Sequence, residues 1–371
     1  MALIKKIMIG FLILVLVLVV TVFLYMRQPQ FGKAPSGARL ERIKRSPHFR
    51  DGQFHNLSHT PALTEGATYT GVLKQFLFGR NQRGTPADSL PSRKTDLLGL
   101  DPQEDILVWF GHSSYFLQVG GKRFLVDPVL SGRASPVWFT TRSFTGSDVY
   151  TVDELPPIDY LLLTHDHYDH LDYKTVVQLQ PKVGTVITGL GVGAHLEYWG
   201  YRPDQIIEKD WNEEVVLDAG FTVHTAPARH FSGRGFRRNG TLWTSFVLTT
   251  PGRRIYLGGD SGYDRHFKTI GETYGPFDLV ILENGQYDQN WKYIHMMPEE
   301  TVQAARDLKA RRLLPVHWSK FALANHAWDE SIIRVVREGL RQHMPLLHPL
   351  IGEAVRLKDE VPPVNWWENV K

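Results

Sequence analysis

The longest apolar stretch of the chain lies at its N-terminus. Residues 7–26 form a run without a charged side chain, preceded by Lys5 and Lys6 and followed by Arg27. A helix needs about 20 apolar residues to cross a bilayer. The run therefore predicts a single membrane-spanning helix, and residues 1–27 are expected to form a membrane anchor.

Two features of this stretch bear on its processing and its orientation. No Ala-x-Ala-like cleavage site follows it, and it is longer than the core of a signal peptide, which favours an uncleaved anchor over a cleaved signal. Basic residues are more numerous after the run than before it; they are Arg27, Lys33, Arg39, Arg42, Lys44 and Arg45. The positive-inside rule then favours a cytoplasmic location for the rest of the chain, although short tails led by lysine also insert in the opposite sense.

The segment that follows the anchor has a different composition. Residues 28–103 are rich in Pro, Gly, Ser and basic side chains, which is typical of a linker followed by an extension that wraps a larger domain. One apolar island, at residues 71–79, interrupts this composition. We interpret the island as a packing segment rather than a lipid contact.

Beyond Glu104 the chain changes to short β-branched and aromatic runs separated by Gly and Pro. Such runs predict strands, and they cover residues 106–110, 115–119, 123–126, 160–163, 183–187, 221–225, 245–249, 254–257, 279–282 and 312–314. Helical patterns lie between them at residues 173–179, 193–199, 265–274 and 298–309. The combination predicts a mixed α/β domain of two sheets covered by helices over residues 104–360, followed by a tail at 361–371.

Composition narrows the chemistry that this domain can perform. The chain has 371 residues, of which 42% are hydrophobic, so one large domain can bury a substantial core. It has no cysteine, which excludes disulfides and leaves imidazole and carboxylate groups to hold any metal. Its formal net charge of +3 is too small for a dense basic surface, so no nucleic-acid partner is expected.

The densest group of metal-binding side chains follows the strand predicted at residues 160–163. His165, His167, Asp169 and His170 lie within six consecutive positions there. His165 and His167 can face one ion, while Asp169 and His170 enter the next turn and point toward a second. The spacing predicts a two-metal site; the alternative is a set of surface histidines beside a helix cap.

A catalytic metal needs further ligands on a rigid frame, and the ends of strands provide one. His230, Asp260 and His317 each come shortly after a predicted strand. Taken singly, the histidines could be core or surface residues and Asp260 could cap a turn. Their shared position, in order behind the first group, favours metal binding for all three.

The order of these residues, H-x-H-x-D-H followed by His, Asp and His, resembles the metallo-β-lactamase superfamily. Further segments resemble the N-acyl-phosphatidylethanolamine-hydrolysing phospholipases D of that superfamily; they are residues 109–114, 126–129, 133–136, 157–159, 167–172, 275–278, 298–300 and 317–325. The mammalian members of this family associate with membranes without an N-terminal span. This chain departs from them at that point.

The resemblance implies an αβ/βα sandwich in which two zinc ions lie between the edges of two sheets. It also implies a division of the ligands: His165, His167 and His230 for one ion, Asp169, His170 and His317 for the other, and Asp260 between them. Imidazoles and carboxylates without sulfur suit zinc, although iron and manganese also occupy such sites. His112 and Asp127 are expected to hydrogen-bond to the ligands rather than to react.

The resemblance further implies a phosphodiesterase of the phospholipase D type that acts on N-acyl phosphatidylethanolamine or related glycerophospholipids. The metals would activate water for attack on phosphorus. Asp169 would orient that water, and His295 would bind phosphate or protonate the leaving group unless it only precedes a helix. Residues expected near the substrate are Arg229 and Arg234 on a basic loop with Arg237 and Arg238, together with His295 and Trp318; a solvated loop is the alternative for the arginines.

The expected partners are a phospholipid substrate and the membrane, and the oligomeric state stays open, with a dimer as one option. Two other functions also stay open. The first is a hydrolase of the same fold acting on a lactone or a soluble phosphodiester, because fold and metals alone do not choose the bond. The second is a membrane-bound scaffold without turnover, against which the full ligand set argues.

Overall fold

The strands predicted after Glu104 pair into two sheets. The computed structural model describes residues 1–79, 81–218, 220–359 and 364–371. Within these ranges the strands are β1 (Phe49–Arg50), β2 (Gln53–Phe54), β3 (Ile106–Trp109), β4 (Tyr115–Val119), β5 (Lys122–Val126), β6 (Ile158–Leu163), β7 (Val183–Gly189), β8 (Ile206–Lys209), β9 (Glu214–Val216), β10 (Thr222–Ala226), β11 (Ser245–Thr249), β12 (Arg254–Leu257), β13 (Leu279–Glu283), β14 (Leu313–Val316) and β15 (Ala354–Arg356). The predicted boundary between domain and tail, at residues 360 and 361, lies outside the described residues.

Both sheets are mixed. The larger has the order β15-β3-β4-β5-β6-β7-β8 and the smaller the order β14-β13-β12-β11-β10-β9, while β1 and β2 form a separate hairpin in the extension. Neighbours from β5 to β8 and from β12 to β14 are parallel. The remaining pairs in these sheets are antiparallel. Each sheet therefore has a parallel part whose strands end at a common edge.

Helices cover the outer faces of the two sheets. In the described residues the α-helices are α1 (Ala2–Tyr25), α2 (Gly37–Lys44), α3 (Tyr69–Phe78), α4 (Tyr173–Leu179), α5 (Gly193–Tyr198), α6 (His266–Thr273), α7 (Pro298–Asp307) and α8 (Glu330–Gln342). Val176 of α4 and Leu196 of α5 pack on the larger sheet. Val302 of α7 and Val335 of α8 pack with the smaller one. The predicted α/β sandwich of two sheets flanked by helices is confirmed.

Alternation along the strands explains how one sheet can contact two layers. Successive side chains of a strand point to opposite faces. In β3, Leu107 and Trp109 belong to the core between the sheets, together with Phe246 of β11. Ile106 and Val108 belong to the cluster beneath α4 and α5. Burial on both faces accounts for runs that are apolar at nearly every position.

The predicted elements do not include β8, β9, β15 or α8. The three strands are three or four residues long, which is too short for alternation to be recognised. Helix α8 buries Ile332 and Val335 on one face and carries Arg341 in its last turn. Its helical periodicity is present in the sequence and would have identified it.

Helix α1 has the properties of a membrane span in length and composition. Among the described residues it is the one helix long and apolar enough to cross a bilayer, with a mean hydropathy of 3.3 over its most apolar window. None of that window is buried. A signal sequence near the N-terminus would meet the same criteria. Helix α1 is therefore a candidate span.

The extension packs on the main domain at α2 and presents α3 to the outside. Ile43 of α2 is fully buried in a cluster that includes Trp211 and Trp243. Arg39 of α2 forms ion pairs of 2.6 Å with Glu197 and 2.5 Å with Glu208. Helix α3, which lies wholly within the described residues, has no buried side chain. The apolar island therefore contributes little to the core.

Replacing Ile43 with alanine tests how firmly the extension is held. Truncation of a buried Ile costs about 2–5 kcal/mol because methyl groups are lost and a cavity remains. We expect Ile43→Ala to lower the free energy of unfolding by about that amount in denaturant titrations of the full chain in detergent micelles, followed by tryptophan fluorescence. Leu340→Ala, at an exposed position of α8, is the matched control and should change it by less than about 0.5 kcal/mol. Equal effects would contradict the buried contact.

Candidate metal centre

The predicted ligands come from loops at the carboxyl ends of strands in both sheets. His165, His167, Asp169 and His170 follow β6 in the larger sheet. The other three follow strands of the smaller sheet: His230 after β10, Asp260 after β12 and His317 after β14. All seven are brought together at the junction of the two sheets. Parallel strands end at one edge, so loops distant in sequence meet there.

The first cluster consists of His165, His167, His230 and Asp260, whose ligand atoms all lie within 4.8 Å of one another. His167 Nδ1 is 2.9 Å from His165 Nε2 and 3.2 Å from His230 Nε2. A zinc–nitrogen bond of about 2.0–2.1 Å in tetrahedral geometry separates two ligand nitrogens by about 3.3 Å. The spacing is therefore close to that of a metal-binding set, although one ring of each pair could also donate a proton to the other.

The second cluster consists of Asp169, His170, His317 and the additional His112. Asp260 lies between the clusters, because its Oδ2 is 3.2 Å from His170 Nε2 and 3.7 Å from His230 Nε2. Its Oδ1 is 3.2 Å from His317 Nδ1. This is the position required of a carboxylate shared by two ions.

Unsatisfied polar atoms test whether these residues fit a metal. Within the described residues, buried atoms without a hydrogen-bond partner include His170 Nε2, His317 Nε2 and Asp260 Oδ1. Such orphaned groups are costly in a protein interior. Asp127, Asp169 and Asp260 also bring carboxyl groups into the same buried region. Divalent cations would satisfy the lone pairs and balance this charge, so the donor set fits a metal.

Most of the imidazoles have the protonation state that metal binding requires. Burial lowers the pKa of His165, His230 and His317 well below the ordinary value for histidine, which keeps them in the neutral form that binds metals. His170 differs, because attraction to Asp260 and Asp169 outweighs burial and raises its pKa. A metal bound here would have to displace that proton.

Hydrogen bonds fix the outer nitrogen of several ligand rings. His170 Nδ1 donates to Asp127 at 2.8 Å, and His230 Nδ1 donates to the Ile294 carbonyl at 2.8 Å. His112 Nε2 lies 2.9 Å from Asp169 Oδ2 and can donate to it. Partners of this kind set the tautomer and orientation of a ligand. The structure thus places Asp127 and His112 where the sequence predicts hydrogen-bonding partners.

Three residues of the site have strained backbone conformations. His112, Asp127 and His317 have positive φ values of 51°, 41° and 69°, a region that costs non-glycine residues about 1–3 kcal/mol. The His317 amide donates to the His112 carbonyl and the His112 amide to the Trp318 carbonyl, each at 2.9 Å. This reciprocal pair joins a loop of the larger sheet to a loop of the smaller one. It holds both histidines in place despite the strain.

The extension contributes directly to the site through Asn56. Its side-chain nitrogen donates to the His230 carbonyl at 2.7 Å, and its oxygen accepts from the His230 amide at 3.0 Å. Trp243 Nε1 donates to the same oxygen at 3.0 Å. Asn56 therefore fixes the backbone of a ligand from a segment more than 170 residues away.

An open cavity of about 300 Å³ gives access to both clusters. Side chains of His167, Asp169, His230, Asp260 and His317 line it. Its apolar lining includes Leu63 and Val72 from the extension and Phe231, Trp291 and Leu323 from the main domain. Extension and domain together therefore form the walls around the metal-binding groups.

A family model for a beta-lactamase superfamily domain matches residues 122–318. That range contains all seven residues predicted as ligands. The chain belongs to the metallo-β-lactamase superfamily.

The names of the relatives of this chain differ in whether they state a function. An uncharacterized protein of Mycobacterium tuberculosis is 39% identical over 331 residues, covering 87% of this chain and 88% of that protein. N-acyl-phosphatidylethanolamine-hydrolyzing phospholipase D 1 of Caenorhabditis elegans is 32% identical over 271 residues, covering 65% of this chain and 74% of that protein. The relatives and the site together support a metal-dependent hydrolase.

Solved structures show the same fold. Igni18, described as a metallo hydrolase of the archaeon Ignicoccus hospitalis, has a TM-score of 0.53 to this chain at 22% sequence identity. The alignment covers 70% of this chain and 100% of Igni18. The likeness shows that the two proteins share this fold.

Three residues predicted near the substrate have other partners in this superfamily member. Arg234 is buried and donates to the carbonyls of Asp166, Leu171 and Gln30, so it ties the metal-binding loop to the extension. Arg229 donates to Thr60 Oγ1 and to the carbonyls of Tyr263 and His59. Trp318 is a core residue stacked on Trp109 and Trp366. Residue type alone does not reveal that these side chains turn away from the cavity.

Two other predicted contacts do line the cavity. They are His295 and Arg238 of the basic loop, whose guanidinium lies 4.2 Å from the centre of the Phe231 ring. His295 Nδ1 lies 2.9 Å from the Glu283 carboxyl group, within hydrogen-bond distance. Sequence reasoning missed Glu283, although its place at the end of β13 matches that of the ligands. It also missed Asn56, for which no local pattern gives a signal.

Removing Asp127 tests the arrangement around the metals. Loss of a residue that orients a ligand typically lowers metal affinity about 10–100-fold. We expect Asp127→Ala to lower zinc affinity by that factor, measured by chelator competition on the full chain in micelles. Exposed Asp153→Ala is the control and should keep the parent affinity. An unchanged affinity in a folded Asp127→Ala protein, checked by circular dichroism, would refute the role given to Asp127.

Proposed function

We propose that the protein is a membrane-anchored, zinc-dependent phosphodiesterase of the phospholipase D type, acting on N-acyl phosphatidylethanolamine or related glycerophospholipids. The observation that carries this proposal is a paired His/Asp metal site in a cavity with largely apolar walls. A phospholipid matches this combination, because its polar phosphodiester lies beside long apolar acyl chains. The named relative from Caenorhabditis elegans supports the same substrate class.

The donor set supports a pair of zinc ions. His165, His167 and His230 would hold one, and Asp169, His170 and His317 the other, with Asp260 shared. Imidazole and carboxylate ligands without sulfur suit zinc. When bound, two such ions supply Lewis acidity toward a phosphoryl oxygen and make a water molecule more acidic.

Asp169 would orient the attacking water. Its carboxylate lines the cavity, and one of its oxygens accepts the hydrogen bond from buried His112. That contact limits the rotation of the carboxylate and leaves its other oxygen to hold the ion that would present the water. Orientation of this kind accounts for a substantial part of many catalytic rate enhancements.

His295 would hold the proton that the leaving alcohol needs. Its Nδ1 is engaged by Glu283, which also accepts from the Met296 amide at 2.6 Å. The ring therefore has a fixed orientation, with Nε2 as its remaining polar atom. Burial raises the pKa of Glu283 well above its usual value, so its carboxyl group would donate to Nδ1 and the neutral ring would carry its proton on Nε2. In the cavity beside His230 and His317, that proton is available to an oxygen leaving phosphorus while Nδ1 takes the proton of Glu283.

The cavity wall offers separate contacts to the two parts of a phospholipid. Arg238 is an exposed cation at the wall and can approach the phosphate. Leu63, Val72 and Leu323 provide apolar surface for acyl chains. Helix α1 would keep the enzyme at the membrane that contains such a substrate; its 24 residues are about 36 Å long, enough for a hydrocarbon core of about 30 Å.

The direct test is incubation of the full chain with N-acyl phosphatidylethanolamine in mixed micelles. We expect zinc-dependent release of phosphatidic acid and an N-acylethanolamine, quantified by mass spectrometry. Asp169→Asn should remove most activity because a ligand is lost. His295→Gln should lower kcat about 100-fold or more, but much less for a phosphodiester with a nitrophenolate leaving group, which needs no proton.

Exposed His343 provides the control, and His343→Gln should match the parent protein. Intact lipid beside a hydrolysed lactone would contradict the proposal and favour the lactonase alternative. An equal effect of His295→Gln on both leaving groups would contradict its role as a proton donor.

A further inference from the structure

Among the large apolar side chains exposed outside α1, six lie in three segments, which are α3, residues 138–139 and residue 236. Helix α3 exposes Leu73, Leu77 and Phe78, the last with 82% of its surface accessible. Trp138 and Phe139 are 71% and 68% accessible, and Phe236 is 87% accessible. We call these six side chains the apolar rim. Exposed apolar surface on this scale is typical of an interaction site.

Helix α3 turns large apolar residues outward, whereas a surface helix of a soluble protein turns them toward the core. Val72 and Gln75 on its inner face are half-buried, and Val72 lines the metal cavity. Leu73 and Leu77 are four positions apart and therefore share one outward face. Lys74 is the one charged residue of α3, a range that is fully described. A helix in water would normally carry polar residues on such a face.

Each of the three parts of the apolar rim is linked, in sequence or by packing, to residues that line the same cavity. Helix α3 forms part of its wall through Tyr69 and Val72. The loop of Phe236 continues into Arg238, which also lines the cavity. The loop of Trp138 and Phe139 is anchored by Ala134, which packs in a cluster with Phe321 and Leu323, and Leu323 again lines the cavity.

The end of α1 lies beside two parts of the apolar rim. Tyr25 donates from its hydroxyl to the Pro136 carbonyl at 2.8 Å, two residues before Trp138. Met26 is adjacent to Gly235, where a Cβ would lie 3.0 Å from the Met26 methyl. A membrane surface at the end of α1 would therefore lie next to Trp138 and Phe236. Exposed Arg237 and Arg238 stand on the same loop and suit anionic headgroups.

We propose that the catalytic domain docks on the bilayer through the apolar rim, so that the metal cavity opens into the lipid headgroup layer. The occupant of the rim is thus a lipid surface, chosen because the rim is continuous with the end of the candidate span. This inference rests on the membrane anchoring in the proposed function. It adds that the anchor and the rim together aim the active site at the membrane.

The absence of cysteine makes the proposal directly measurable. Single cysteines at Leu77 and Phe139 can be spin-labelled in the full chain, which is then reconstituted at one chain per nanodisc of phosphatidylethanolamine and phosphatidylglycerol. Val216→Cys and Leu340→Cys are matched controls, because Val216 and Leu340 are 69% and 74% accessible. Val216 lies near the start of β10, at the edge opposite the metal loops. Collisions with oxygen and with a water-soluble nickel chelate report lipid and water contact.

At Leu77 and Phe139 we expect nickel collisions to be at least threefold less frequent than at Val216 and Leu340 in the same nanodiscs, and oxygen collisions to be more frequent. Loss of both kinds of collision would indicate a protein contact, such as a second copy of the chain, and would overturn the proposal. Rim labels as accessible to nickel as those at Val216 and Leu340 would also overturn it.

A label at Val17, within α1, separates this inference from the proposed function. A lipid-shielded Val17 label with water-exposed rim labels would reject docking and leave the anchor intact. Water exposure at Val17 would reject the anchor and the docking together. Failure to hydrolyse phospholipid would reject the proposed activity without altering the position of any label.

Discussion

The close approach of His167 to two other imidazoles is the constraint around which the site is organised. Its Nδ1 lies 2.9 Å from His165 Nε2 and 3.2 Å from His230 Nε2, inside a region that also buries Asp169 and Asp260. Burying carboxylates without compensating charge is strongly unfavourable. Cations bound among these groups would turn the cost into a favourable interaction, which explains why polar groups are concentrated where the two sheets meet.

The rest of the fold holds these buried polar groups rigidly in place. Parallel strands bring the loops to a common edge, and the reciprocal hydrogen bonds between the loops of His112 and His317 join the sheets there. The extension completes the frame, because Asn56 holds the backbone of His230 and Arg234 joins the metal-binding loop to Gln30. Segments far apart in sequence are thus coupled to the ligands, and α1 leads directly into one of them.

The sequence predicts which side chains the fold brings together in the clusters, because metal chemistry leaves a local signature. His165 to His170 form a compact motif, and His230, Asp260 and His317 share a position after strands. Side-chain direction has no comparable signature, so Arg229, Arg234 and Trp318 fit a substrate site by type but contact backbone or core. The hydrogen bond between Asn56 and the His230 backbone depends on long-range packing, so it leaves no local signature. Apolar residues at 71–79 likewise indicate a buried segment, whereas α3 is exposed.

The proposed reaction, the cavity and the membrane anchor fit together only if the two clusters hold a pair of metal ions. Elemental analysis of the full-length protein, purified in detergent, incubated with zinc and freed of unbound metal, tests this most directly. The account predicts about two zinc ions per chain, falling to about one or fewer in His167→Ala. Less than one retained ion in the parent protein, or an unchanged content in His167→Ala, would contradict it.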